Sequence, residues 1–173
     1  MFYEKVNFTI PALTACFILY TRVCAGVVYF TTGAVLCSIS VKLVKRIIRQ
    51  PRPPNLPGRK SKVSYGMPST HSATISYYAA YIFLGCLYLP VHPTLPSGLA
   101  IRILPPLIIL PCAISVIMSR VWLGHHTMPQ VVAGISYGVA YASVWFVLWT
   151  RGLNSWGMYA EQLLHHWINA TLH

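Results

Sequence analysis

Apolar residues in this chain stand in long blocks divided by short basic, proline-rich stretches, a pattern that makes a bilayer the solvent for most of the fold. Residues 6–44 contain only two charges, Arg22 and Lys42. The stretch is far longer than the ~20 residues of one crossing, so it predicts two helices, a short one over roughly 6–20 and a second from Val23 to Val44. Residues 45–66 then hold Lys45, Arg46, Arg49, Arg52, Arg59, Lys60 and Lys62 among Pro51, Pro53, Pro54 and Pro57, and read as a loop outside the hydrocarbon.

Three further apolar blocks follow, at 72–90, 101–118 and 130–150. The second of them contains Pro105, Pro106 and Pro111, which predicts a kinked helix packed inside the bundle, where neighbours satisfy the freed carbonyls. The last is rich in small residues, among them Gly134, Ser136, Gly138 and Ala142, which favour close helix contact. The predicted fold class is all-α, a polytopic transmembrane bundle of four to five membrane helices over residues 1–151, with the active site at one membrane face. Residues 152–173 form a short amphipathic tail expected at the surface.

Composition narrows the chemistry. Against 13 Lys and Arg there are two acidic residues, Glu4 and Glu161, and no Asp. A two-metal hydrolase and an aspartyl-phosphate enzyme both need carboxylates the chain lacks, so no metal and no other cofactor is expected. The five cysteines, Cys16, Cys24, Cys37, Cys86 and Cys112, lie in apolar blocks without regular spacing and read as buried thiols. The N-terminus lacks a basic region followed by a small-residue cleavage site, so no removable signal peptide is expected. The Cys16 to Arg22 interval has the spacing of a thiol phosphatase loop, but the bulky residues between them cannot cradle phosphate. The tyrosines at 77, 78, 81 and 88 read as packing and interfacial residues. His92 reads as a loop residue, His165 and His166 as interfacial, and the sequons at Asn7 and Asn169 lie too near the bilayer or the chain end to weigh.

Counting crossings places the end of the second helix, the start of the third, the end of the fourth and the start of the fifth on one face. Lys45 to Arg52, Pro68 to His71, and Ser119 to His126 therefore converge. Lys, two Arg, Ser, Thr and two His without a carboxylate describe a site for a highly charged anion, and phosphate is the natural candidate. Arg52 and Arg120 offer planar forks, Lys45 a compact charge, and Ser69 and Thr70 a helix N-terminus. One neutral imidazole can attack phosphorus while a protonated partner gives its proton to the leaving oxygen.

The spacing of Lys45 and Arg52-Pro53, then Pro68-Ser69-Thr70-His71, then Ser119-Arg120 and His126 resembles the three-part signature of the type 2 phosphatidic acid phosphatase superfamily. The block Tyr65 to Ser72, with Ser119-Arg120-Val121-Trp122, His126-Thr127 and Gln130, is most similar to its dolichyl-diphosphatase branch. The resemblance covers roughly residues 23–150. It implies His126 as the nucleophile of a phosphohistidine intermediate, His71 as acid and base, and Lys45, Arg52, Ser69, Thr70 and Arg120 as phosphate holders. Two positions depart from the superfamily pattern. Thr70 stands where Gly is usual, and Gln130 stands where Asp is usual, one helical turn after the nucleophile. Gln can accept a hydrogen bond and orient the ring without offsetting its charge, and the dolichyl branch is similar in carrying Gln. His125 is read as a neighbour of the nucleophile.

The resemblance implies a membrane phosphatase converting a polyprenyl (dolichyl) diphosphate to the monophosphate. A phosphatase for phosphatidic acid or another lipid monophosphate is one alternative; an inactive membrane scaffold whose basic loop binds anionic lipid is another. The expected partners are the lipid substrate and membrane lipids, with no nucleic acid. Positive-inside reasoning puts the site in the cytosol. The dolichyl resemblance implies the lumen of the endoplasmic reticulum, and it carries more weight because basic residues beside a diphosphate site also serve substrate attraction.

Overall fold

A computed structural model of the chain describes residues 25–54, 64–90 and 98–171. The short helix expected over 6–20, Cys16, Cys24, Arg22, Arg59, Lys60, Lys62, His92 and Asn7 lie outside the described residues. The fold is all-α: α1 (Ala25–Ile48), α2 (Thr70–Tyr88), α3 (Leu99–Trp122) and α4 (Met128–Leu148), then a π-helical stretch, Trp149–Leu153, and α5 (Asn154–Thr171). Among the described residues, Ala25–Ile48, Leu99–Trp122 and the run Met128–Leu163 are long and apolar enough to cross a membrane.

The chain falls into two compact units, one of which is Ala34–Phe146. Within that unit α2 is the central helix: Ser72, Ala73, Ile75, Ser76, Tyr77, Ala79 and Tyr81 are all buried. A helix packed against protein can carry hydroxyls and phenols that a lipid-facing helix cannot, and α2 buries both kinds at Ser72, Ser76, Tyr77 and Tyr81. Small residues let α4 approach it closely. A Cβ placed on Gly134 would lie 2.7 Å from the carbonyl oxygen of Ser69 and 3.0 Å from Ser72 Cβ, and one on Gly138 would strike the Ala73 backbone. Deeper in the unit, Tyr77 sits against Tyr81 and Tyr141 with ring centroids 5.7 and 6.0 Å apart, and Tyr141 stacks on Tyr137 and Trp145 one turn to either side.

The proline-rich helix departs from expectation. α3 runs as one helix through Pro105, Pro106 and Pro111, and it lies on the outside of the unit. Leu104, Leu107, Ile108 and Ile114 are exposed along it, and its buried residues, Ala113, Ile117, Ser119 and Arg120, are confined to its final turns. Pro105 and Pro111 also face outward. An apolar ring without an N–H suits lipid as well as it suits a protein interior, so α3 buries only the end that reaches the polar cluster. Cys112 shares this outer face and is exposed, whereas Cys37 is buried as expected and Cys86 half-buried. At the other end of α3, Arg102 Nη1 donates to the carbonyls of Cys86 and Leu87 (3.1 and 3.3 Å), tying α3 to the C-terminus of α2.

The other unit takes in the first turns of α1, to Gly33, and the chain from Val147. In it the Tyr29 and Trp149 rings lie 4.7 Å apart, and Glu161 Oε2 accepts the Ala25 N–H at 3.1 Å. Gly152, at φ 153°, adopts a backbone conformation open to glycine at the π-helical stretch.

Candidate active site

Four segments of the Ala34–Phe146 unit supply the polar cluster, and the chain ends each helix there for a local reason. α1 finishes with Lys45 and Arg46 in its last turn, where cations complement the helix dipole. Arg49 then turns left-handed (φ 53°) and donates its N–H to Lys45 O at 3.0 Å, before Pro51 bars any continuation. α2 starts at a serine cap: Ser69 is extended, and its Oγ accepts from the Ser72 N–H at 3.4 Å and lies 3.0 Å from Ser72 Oγ. α3 closes on Gly124 (φ 64°), and the carbonyl of Arg120 accepts the N–H groups of both His125 and His126, at 3.0 and 3.2 Å. The turn that ends α3 therefore carries the histidine pair directly beneath Arg120.

Gln130 ties these segments together. Its carbonyl oxygen accepts the Ser69 N–H at 3.0 Å, its Nε2 donates to Pro51 O at 2.9 Å and Gln50 Oε1 at 3.3 Å, and its Oε1 accepts the Thr127 N–H at 3.3 Å. The same Oε1 lies 3.2 Å from His126 Nδ1. Which way the amide points is fixed by chemistry: a carbonyl such as Pro51 O can only accept, and a backbone N–H such as that of Thr127 can only donate. With the amide oxygen toward the ring, His126 Nδ1 must carry a hydrogen, and in the neutral imidazole the lone pair then resides on Nε2.

His126 is 4% exposed, and Lys45, Ser69, Arg120 and Gln130 are also buried; Arg52, Thr70 and His71 are half-buried. Burial, together with the charges of Arg52 and Lys45, pushes His126 down to about 4, against a smaller upward effect of the Gln130 bond. The imidazole is thus neutral at physiological pH, with its lone pair available. Burial also lowers Arg52 from its ordinary value. Its guanidinium is held by Ser64, with Nε donating to Ser64 O at 3.0 Å and Nη2 to Ser64 Oγ at 2.8 Å, while Nη1 reaches His125 O at 3.4 Å. Arg120 Nε donates to Ser119 Oγ at 3.3 Å.

Of the residues singled out in the sequence, Arg52, Ser69, His126 and Gln130 are joined through the hydrogen bonds above, Arg120 meets His126 through its backbone carbonyl, Lys45 and His71 are near enough to act on the His126 charge, and Thr70 follows Ser69 as the first residue of α2. His125 stands beside it and contributes its backbone carbonyl. Arg46 and Arg49 are exposed, in keeping with a headgroup-facing stretch, and Lys42 is exposed on α1. Three participants escaped sequence reasoning: Gln50, Ser64 and Gly66. Gly66 N–H donates to Gln50 O at 2.8 Å, and the position has no room for a side chain because a Cβ there would collide with the Gln130 amide. The one signal for it was its place in the quoted block Tyr65 to Ser72.

Chemically, the cluster joins a buried neutral imidazole of defined tautomer to a lysine, two arginines and a second histidine. Such a set can bind a phosphoryl group and attack it.

Comparison with known proteins agrees with that chemistry. Dolichyldiphosphatase 1 of Mus musculus is 38% identical over 109 residues, covering 61% of this chain and 45% of that protein. Its Homo sapiens counterpart is 38% identical over 108 residues, with the same coverage. Lipid phosphate phosphatase gamma of Arabidopsis thaliana is 31% identical over 129 residues, covering 74% of this chain and 55% of the relative. The chain spans about half the length of the curated relatives it matches. No solved structure shows a significant match. The profile of the PAP2 superfamily matches residues 26–153, from the start of α1 through the π-helical stretch and across every residue of the cluster, and the chain belongs to that superfamily.

Proposed function

We propose that the protein is a membrane phosphatase that hydrolyses a polyprenyl (dolichyl) diphosphate to the monophosphate through a phosphohistidine on His126. The observation that carries this reading is the buried, neutral His126, its Nδ1 committed to Gln130 and its surroundings cationic. Lys45, Arg52 and Arg120, with the α2 N-terminus at Ser69 and Thr70, bind the terminal phosphoryl group. His126 Nε2 attacks phosphorus, the bond to the bridging oxygen breaks, and His71 gives its proton to the departing lipid phosphate. His71 then takes a proton from water as that water attacks the phosphohistidine, which releases inorganic phosphate and restores the imidazole. No carboxylate enters the cycle, so it proceeds without a divalent metal.

Gln130 and the dolichyldiphosphatase relatives favour the diphosphate substrate. The Arabidopsis relative supports a second reading, a lipid monophosphate phosphatase using the same residues. Purified protein assayed in parallel on dolichyl diphosphate and phosphatidic acid separates them, with the diphosphate expected to be turned over faster. An inactive lipid-binding scaffold would turn over neither. We place the protein in the endoplasmic reticulum membrane with a lumenal site and residues 152–173 as an interfacial segment. Glycosylation sequons inserted in the 54–64 and 92–99 loops test the orientation: modification of the first supports a lumenal site, and modification of only the second reverses it.

A further inference from the structure

Gln50, two residues beyond α1, belongs to no part of the signature, yet it meets two other segments of the cluster. Its carbonyl accepts the Gly66 N–H at 2.8 Å, and its side-chain Oε1 accepts from Gln130 Nε2 at 3.3 Å. We infer that Gln50 is a positioning residue for phosphoryl transfer, holding the Gln130 amide in the one orientation that leaves the lone pair of His126 on Nε2.

A reversed amide would change the tautomer of His126. Turned by 180°, Gln130 would present an NH₂ group to His126 Nδ1, the ring would have to accept there, and its hydrogen would move to Nε2. That tautomer has no lone pair facing phosphorus. Three contacts oppose the reversal: the Thr127 N–H at the oxygen end, and Pro51 O and Gln50 Oε1 at the nitrogen end. Two of them are backbone groups, so Gln50 is the one that can be altered by substitution. Gly66 gives the contact its geometry, since the absence of a Cβ lets the loop before α2 close over the same amide while its N–H fixes the Gln50 backbone.

The inference rests on the proposed role of His126 and is tested with three variants of the protein. The charged or titratable groups that act on His126 are Lys45 of α1, Arg52 of the following turn and His71 of α2, while Arg120 at the end of α3 meets it through a backbone carbonyl. Gln50→Leu removes the acceptor and should lower kcat roughly 5- to 10-fold with KM unchanged, the scale of one neutral hydrogen bond. Gln50→Glu keeps an acceptor oxygen and should restore most of kcat; its negative charge near the imidazole should also move the acid limb of kcat/KM upward. A Gln50→Leu enzyme with parental kcat overturns the assignment. So does a Gln50→Glu enzyme as slow as Gln50→Leu with an unmoved limb. His126→Ala, assayed alongside, separates this result from the underlying reading: if it is active, the nucleophile is elsewhere and both fall, whereas an inactive His126→Ala with a parental Gln50→Leu removes Gln50 alone.

Discussion

The oxygen of the Gln130 amide lies 3.2 Å from Nδ1 of His126, four residues earlier in the turn that precedes α4, and the amide's other contacts leave it no freedom to turn round. Where a carboxylate would both orient and charge-stabilise an imidazole, a carboxamide orients it alone. The ring therefore stays neutral down to about 4, and in the proposed cycle the compensating charge comes from the substrate phosphate.

Replacing Gln130 by Glu puts a negative charge against Nδ1 while removing the donations to Pro51 O and Gln50 Oε1. An adjacent opposite charge should raise His126 by about 1–3 pH units. The acid limb of kcat/KM should move up by that amount, and kcat should fall because the carboxylate faces two acceptors. A pH-rate profile of the variant beside the parent checks both effects.

In the parent protein the limb itself should lie at about 4 rather than at the ordinary histidine value of 6.5. Stability follows from the same depression. Between 6.5 and 4 the unfolded chain takes up a proton at His126 that the folded chain refuses, so stability should decline as pH falls through that window and change no further from this source below 4. Thermal unfolding of parent and His126→Ala in detergent, measured from pH 7 to pH 4, should show a decline that is shallower in the variant.

Gly134 sets the spacing of α4 against the start of α2. Its substitution by Ala would bring a methyl group to 2.7 Å from Ser69 O, a backbone atom that cannot swing aside. Gly134→Ala should destabilise the fold by about 1–3 kcal/mol and lower activity by displacing Ser69 from Gln130. Alanine normally favours a helix, so a gain in melting temperature would contradict this packing.

With Glu4 and Glu161 the sole carboxylate side chains, activity should survive a strong chelator. Vanadate, which adopts five-coordinate geometry at phosphoryl-transfer sites, should inhibit. Activity abolished by chelation and restored by Mg²⁺ would contradict the proposed cycle.

The convergence of Lys45, Ser69, Arg120 and His126 was legible in the sequence because apolar block length counts crossings and crossings decide which helix ends meet. Gln130 was legible only through the family resemblance, as the residue standing where the superfamily pattern has Asp. Gln50, Ser64 and Gly66 were not, since they act in proline-bounded turns where no periodicity tells which carbonyl faces which donor. The place of α3 was not legible for a different reason: proline frees carbonyls, which favours a protein surrounding, but its apolar ring is equally at ease against lipid, and here the exposed Pro105 and Pro111 show the second effect. In the sequence α2 reads as one more apolar block, and its hydroxyls acquire their meaning from burial, because Ser72, Ser76 and Tyr77 are buried.

Trapping the intermediate tests the account most directly. Dolichyl diphosphate labelled at the terminal phosphate, mixed with enzyme and quenched in base within a single turnover, should leave label on His126, lost in acid as a phosphoramidate should be and absent from His126→Ala. Label on another residue, or full turnover by His126→Ala, would contradict it.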